Sequence, residues 1–176
     1  MPDRPVPSLP LDDAVRTRRT HKVFGSEPVP RETLDELFEL ARWAPNHHLT
    51  EPWRFRVVGP AALAALKAAT DDGGVKLNRA PTLIVATVLQ SGDEVADQED
   101  LCAAACACYV VLLGAHARGL AGYWRTPHVL RTEAGRRAVG LADDERVVGL
   151  LHLGPRVRDV DPPERRPMSN FAAYLD

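Results

Sequence analysis

Nowhere in its 176 residues does the chain run to about 20 consecutive apolar residues, so no membrane span is expected. It also lacks a basic surplus. Lysine and arginine number 22 against 24 aspartates and glutamates, a formal net charge of −2 that gives no footprint for nucleic acid. Met1 to Pro10 is rich in proline and has no apolar core of a secretory signal, so a cytoplasmic home is expected. Neither GxxxxGK[ST] nor a helix-opening GxGxxG is present, and no Ser-His-Asp or catalytic cysteine arrangement has local support. Cysteine is scarce. The three, Cys102, Cys106 and Cys108, fall in one expected helix, with Cys102 and Cys106 four apart on one face. No second Cys or His pair at ligand spacing accompanies them, so they read as small buried core side chains and no metal site is expected.

What is present suits one compact domain, with 45% hydrophobic and 26% charged residues. A proline-rich arm over 1–10 precedes a helix from Leu11 to about Thr20. Pro28 and Pro30 break the chain, and Leu34, Leu37, Phe38 and Ala41 then recur at helical spacing between Arg31 and Trp43. Arg54 to Val58 alternates as a half-buried strand does, and Ala61 to Ala69 reads as an alanine-rich helix. Thr82 to Val88 is a β-branched central strand, and Glu94 to Arg118 the longest helix, apolar on most sides. A short strand over Leu120–Trp124, a helix over Val129–Val139 and an apolar strand over Arg146–Leu153 complete an α+β domain spanning 11–155. The tail, 156–176, is polar and ends in Phe171, Tyr174 and Leu175, an ending that suits wrapping on a neighbour.

Three constellations carry chemistry. Arg16, Arg18, Arg19, Thr20, His21 and Lys22 gather the guanidinium forks and hydroxyl that suit a phosphate monoester. Alone, they also read as a solvated basic helix end. Ala44 to Trp53 frames Asn46, His47 and His48 between two prolines, either a site-bearing loop or a plain helix stop. Gly119 to Pro127, with Gly122, Trp124, Arg125 and Thr126, is either a close approach to a planar ligand or a tight turn into a strand.

In order and spacing these segments resemble the FMN-dependent nitroreductase family, its compact YdjA-like branch most closely. The resemblance covers nearly the whole chain from Leu11. Its carriers are Arg18-Arg19-Thr20-His21-Lys22-Val23-Phe24, Ala44-Pro45 through Glu51-Pro52-Trp53, Gly122-Tyr123-Trp124-Arg125-Thr126, and Val148-Gly149 through Gly154-Pro155. Glu51 replaces the usual Gln, Leu49 stands where many relatives have Asn, and His47 and His48 replace small residues.

The resemblance implies a nitroreductase-like fold, a mainly antiparallel sheet flanked by helices, in an obligate homodimer. It places Arg18, Arg19 and Thr20 on the phosphate and ribityl chain of FMN, and Lys22 near the N1–C2=O side of the ring. It brings Asn46 and His47 over the flavin from the other subunit, and borders the cofactor with Trp124, Arg125 and Thr126. Arg165 or Arg166 in the tail adds a phosphate contact. The implied activity is ping-pong hydride transfer from NADH or NADPH through flavin N5 to a nitroaromatic, quinone or similar small acceptor, with no catalytic side chain. A flavin-binding storage or sensor protein, and an FMN enzyme of another redox type such as flavin breakdown or dehalogenation, stay open as alternatives.

Overall fold

A computed structural model describes residues 9–175. Most of the proline-rich arm therefore lies outside the described residues. The elements are α1 (Leu11–Thr17), α2 (Arg31–Ala41), β1 (Trp53–Val57), α3 (Pro60–Ala68), β2 (Thr82–Leu89), α4 (Glu94–Ala117), β3 (Leu120–Arg125), α5 (Glu133–Ala138) and β4 (Glu145–Pro155). The four strands form one sheet in the order β1-β2-β4-β3, every neighbouring pair antiparallel. β2 and β4 are central, which explains why both are almost continuously apolar rather than alternating.

The period-2 geometry of the strands divides the core in two. Ile84, Ala86 and Val88 of β2, with Leu151 and Leu153 of β4, face α2 and α4. Leu83 and Val85, with Leu150, face the opposite way and pack on Leu66 of α3, Leu77 and Leu130. Between Ala86 and Thr87 the register slips by one, a β-bulge that turns Val148 toward the α4 side. At one end of the sheet, Arg56 forks onto the buried Glu145 (2.7 and 2.5 Å), which also accepts the Thr87 hydroxyl.

Helix α4 is the spine. Asp93 caps it by accepting from the N–H groups of Val95 and Ala96 at 3.0 and 2.9 Å. Its length and composition would suit a membrane span. However, Ala104, Ala107, Val111 and Ala115 are fully buried against the sheet and α2, as in the core helix of a globular domain.

Three expectations change. The first helix stops at Thr17 because Arg18 is extended and the chain leaves to pair with β3. The expected helix over Val129–Val139 splits into a 3-10 turn, His128–Arg131, and α5. The break is at Thr132, extended, whose hydroxyl accepts from the N–H of Gly135 (3.1 Å) as an N-cap. Of the three cysteines only Cys108 is buried, its thiol pushed up to about 12 by burial. Cys102 and Cys106 are exposed, because helical spacing carries them to the side of α4 that turns away from the sheet.

Candidate functional site

The basic segment leaves α1 as an extended ribbon beside β3. Thr20 bridges to Gly122 in parallel fashion, and the N–H of His21 donates to the Gly122 carbonyl at 3.0 Å. The first and third constellations of the sequence are thus brought together. The segment touches β3 at Thr20 and His21, and the chain bends at Lys22.

At the α1 end of the segment, Arg18 and Arg19 line two adjoining cavities of about 380 and 260 Å³. Thr20 lines the smaller, Tyr109 of α4 the larger. The tail folds back so that Arg165 lines both, and Arg166 neither. The two ribbon arginines differ in what they have free. Arg19 Nη1 already donates to the carbonyls of Arg16 (2.7 Å) and Arg18 (2.8 Å), stopping the end of α1, while its Nε is buried without a partner. The Arg18 guanidinium makes no hydrogen bond or ion pair among the described residues.

Two buried histidines support the ribbon from below. The Thr17 hydroxyl donates to the Asp13 carbonyl (2.5 Å), so the 2.9 Å contact with His116 requires Nε2 of that ring to donate. His116 Nδ1 is then an unprotonated acceptor, buried and unpartnered. Burial first, then Arg156 and Arg18, hold His116 below the ordinary histidine range. His21 is held low by burial and Arg156. Both rings stay neutral near pH 7, and the arginines carry the positive charge.

At the other end of the ribbon Lys22 is exposed. Trp124 and Arg125 are neighbours on β3, so their side chains lie on opposite faces of the sheet. The Trp124 indole is occupied within the chain: its Nε1 donates to the Val148 carbonyl (3.3 Å), and it lies where any Cβ on residue 149 would be, which accounts for Gly149. Arg125 keeps a buried, unpartnered Nη1 and lines a cavity of about 440 Å³ with Lys76, Asp71, Asp72 and His128. A ligand meeting Trp124, Arg125 and Thr126 together meets the strand end and the exposed Thr126 rather than both large side chains. Gly119 (φ +78) makes the turn out of α4, and a Cβ on Gly122 would press on Leu112.

Within one chain Asn46 and His47 are not brought to the ribbon. They line a cavity of about 490 Å³ with Cys102 and Cys106. Tyr109, seven residues beyond Cys102 and about 10 Å along α4, lines the larger of the Arg18–Arg19 cavities. Asn46 serves its own loop, its Oδ1 accepting from the Glu51 N–H (2.9 Å) and its Nδ2 donating to the Ala44 carbonyl (3.2 Å). His48, Leu49 and Glu51 have positive φ (52, 54 and 44°), each costing on the order of 1 kcal/mol or more for a residue with a Cβ. The rings of His47 and His48 meet edge to face with centroids 3.9 Å apart.

Sequence reasoning missed Tyr109 and Lys76. Tyr109 carried a signal, standing on the same helical face as Cys102 and Cys106. Lys76 carried none, because the turn Val75–Asn78 that presents it follows a glycine pair in the left-handed region.

Comparison with known proteins decides the family. The model of the nitroreductase family matches residues 15–73 and 67–155. The chain belongs to the nitroreductase family. YfhC of Bacillus subtilis, which bears an NAD(P)H nitroreductase name, is 28% identical over 161 residues, 82% of this chain and 83% of its own. A nitroreductase-like family protein of Bacillus cereus superposes with a TM-score of 0.87 at 23% identity, over 96% of this chain and 97% of its own. A nitroreductase-type protein of Desulfovibrio desulfuricans, solved in complex with FMN, superposes with a TM-score of 0.79 at 24% identity, over 96% of this chain and 98% of its own. At these identities the structures establish a shared α+β fold.

Proposed function

We propose that this nitroreductase-family chain is an FMN-dependent NAD(P)H oxidoreductase that reduces a nitroaromatic, quinone or similar small acceptor. The observation that carries the reading is the pairing of the ribbon Arg18–Lys22 with β3, closed at one end by Arg165. The residues fit the group. Arg18 and Arg165 offer fork donors to a terminal phosphate, and the orphaned Nε of Arg19 gains a partner there. Thr20 offers a hydroxyl to the ribityl chain, and Lys22, Trp124, Arg125 and Thr126 meet the ring end. The FMN-bound D. desulfuricans neighbour and the name of YfhC support the cofactor and the NADH or NADPH reductant.

When bound, FMN supplies hydride acceptance from NADH or NADPH and onward transfer to the acceptor. The chain's residues do the rest. Arg18, Arg19 and Arg165 hold the phosphate, and Lys22 is a fixed cation for negative charge developing at the N1–O2 side. No side chain needs to move a proton, so no catalytic residue is assigned.

The working unit in this reading is a homodimer in the cytoplasm. Cys102, Cys106 and Tyr109 form an exposed stripe joining the Asn46–His47 cavity to the phosphate end. At the tail, Phe171, Tyr174 and Leu175 are 76, 90 and 94% exposed in the single chain. A second copy related by two-fold symmetry covers these surfaces and sets its own Asn46 and His47 over this chain's flavin. Heating the purified protein and identifying the released cofactor by chromatography tests the reading. FMN is expected, with bleaching of the bound flavin by NADPH; FAD, or no flavin, overturns it.

A further inference from the structure

The turn over residues 46–51 adopts a shape its own sequence does not favour. Three of its non-glycine residues, His48, Leu49 and Glu51, stand at positive φ within four positions. Such a backbone persists only where its surroundings impose it. Several bonds do so here. Two are internal, from the Glu51 N–H to Asn46 Oδ1 and from the Thr50 N–H to the His47 carbonyl. Arg54 of β1 reaches in to the Glu51 carbonyl at 2.9 Å. Among the described residues, the one side-chain bond from the turn to α4 is that of the Thr50 hydroxyl, which donates to Asp100 Oδ1 at 2.7 Å.

Asp100 is an unusual residue for this place. It is 8% exposed, and the Thr50 hydroxyl is its one side-chain partner among the described residues. A side chain with a carboxyl group gives up part of its hydration in so buried a place, and the Thr50 hydroxyl replaces only one of the lost bonds. An alanine like its neighbours Ala103 and Ala104 would pack there at no such loss. The compensation is therefore in what the bond holds.

We propose that Asp100 is a positioning residue. Through Thr50 it locks the 46–51 turn in its left-handed shape and so fixes His47 and Leu49 over the flavin of the other subunit. The proposal rests on the shared-site reading above.

The test uses the full-length protein as purified, with Thr50→Val and Asp100→Ala as breaking variants and Thr50→Ser as the conservative one. Amide exchange over residues 46–51 reads the lock directly, and FMN affinity with kcat and KM for NADPH reads its consequence. In Thr50→Val and Asp100→Ala, exchange at Glu51 should speed by about tenfold and FMN affinity fall by roughly five- to tenfold. Thr50→Ser should stay close to the parent in both. Thr50 is exposed, so Thr50→Val reports even where Asp100→Ala fails to fold. Unchanged exchange in Thr50→Val overturns the lock. Faster exchange with unchanged FMN affinity and kinetics overturns the positioning role. A parent protein that takes up no flavin overturns the covering role together with the shared site, and exchange, which needs no flavin, tells that outcome from failure of the lock.

Discussion

The two sides of α4 differ in how far one chain completes them. On the inner side Ala104, Ala107, Val111 and Ala115 are fully buried, packed on the sheet and on Leu37 of α2. On the outer side Cys102, Cys106 and Tyr109 are exposed, and beside them lie the strained 46–51 turn and the cavities lined by Arg18, Arg19 and Arg165. The inner side is a finished core. The outer side gathers the candidate groups of the Arg18–Arg19 and Asn46–His47 cavities, and among the described residues nothing covers it. Stability thus belongs to one side of the helix and ligand binding to the other, and changes on each should have separable effects.

The largest expected effect is on the inner side. Leu37 is fully buried beneath α4, and Leu37→Ala should cost about 2–5 kcal/mol of unfolding free energy. Denaturant titration with and without saturating FMN checks it, and the loss should be the same in both. A loss that appears only with flavin would break the separation.

The opposite face of the sheet sharpens it through pH. His152 is fully buried, both ring nitrogens lack partners, and burial with Arg125 and Arg79 lowers its pKa from 6.5 to about 4. The folded state holds the neutral ring, so the unfolded chain binds the proton first. Stability is therefore fully present above pH 6.5 and falls as pH drops toward 4, by roughly 3 kcal/mol in all. His21 and His116, also held low, add in the same direction. Unfolding curves across that window should show a shallower slope for His152→Leu, whose side chain needs no proton. An unchanged slope would show that the acid sensitivity arises elsewhere.

The smallest of the three effects belongs to the outer side. Arg18→Ala removes charge-assisted bonds worth about 1.5–3 kcal/mol, so FMN affinity should weaken roughly ten- to a hundredfold. Stability without flavin should hardly move, since the Arg18 guanidinium makes no hydrogen bond or ion pair among the described residues. Fluorescence titration measures the first and thermal unfolding of the stripped protein the second. Full FMN affinity would show that the phosphate lies elsewhere.

Much of the inner side was legible in the sequence. Periodicity marked the stripe Leu34, Leu37, Phe38 and Ala41, a β-branched run marked β2 and an apolar run marked β4, because burial on both faces leaves a continuous apolar signal. The outer side was less legible, for physical reasons. Helix α4 is apolar nearly all round, so nothing in its pattern says which face its own chain covers, and the two exposed cysteines read as core. Arg18 and Arg19 look alike in sequence, yet one stops a helix and the other is free. Positive φ at His48, Leu49 and Glu51 has no glycine to announce it, since tertiary bonds impose it. That Trp124 and Arg125 part to opposite faces, by contrast, follows from strand alternation alone.

The account depends most on the outer side being completed by a second copy. Light scattering coupled to absorbance, on the flavin-loaded protein, weighs the particle and counts its cofactors together. A species of twice the 19.3 kDa chain mass carrying two FMN is expected, and a cut before Phe171 should lose dimer and flavin together. A stable 19.3 kDa monomer that still retains FMN would contradict the shared site.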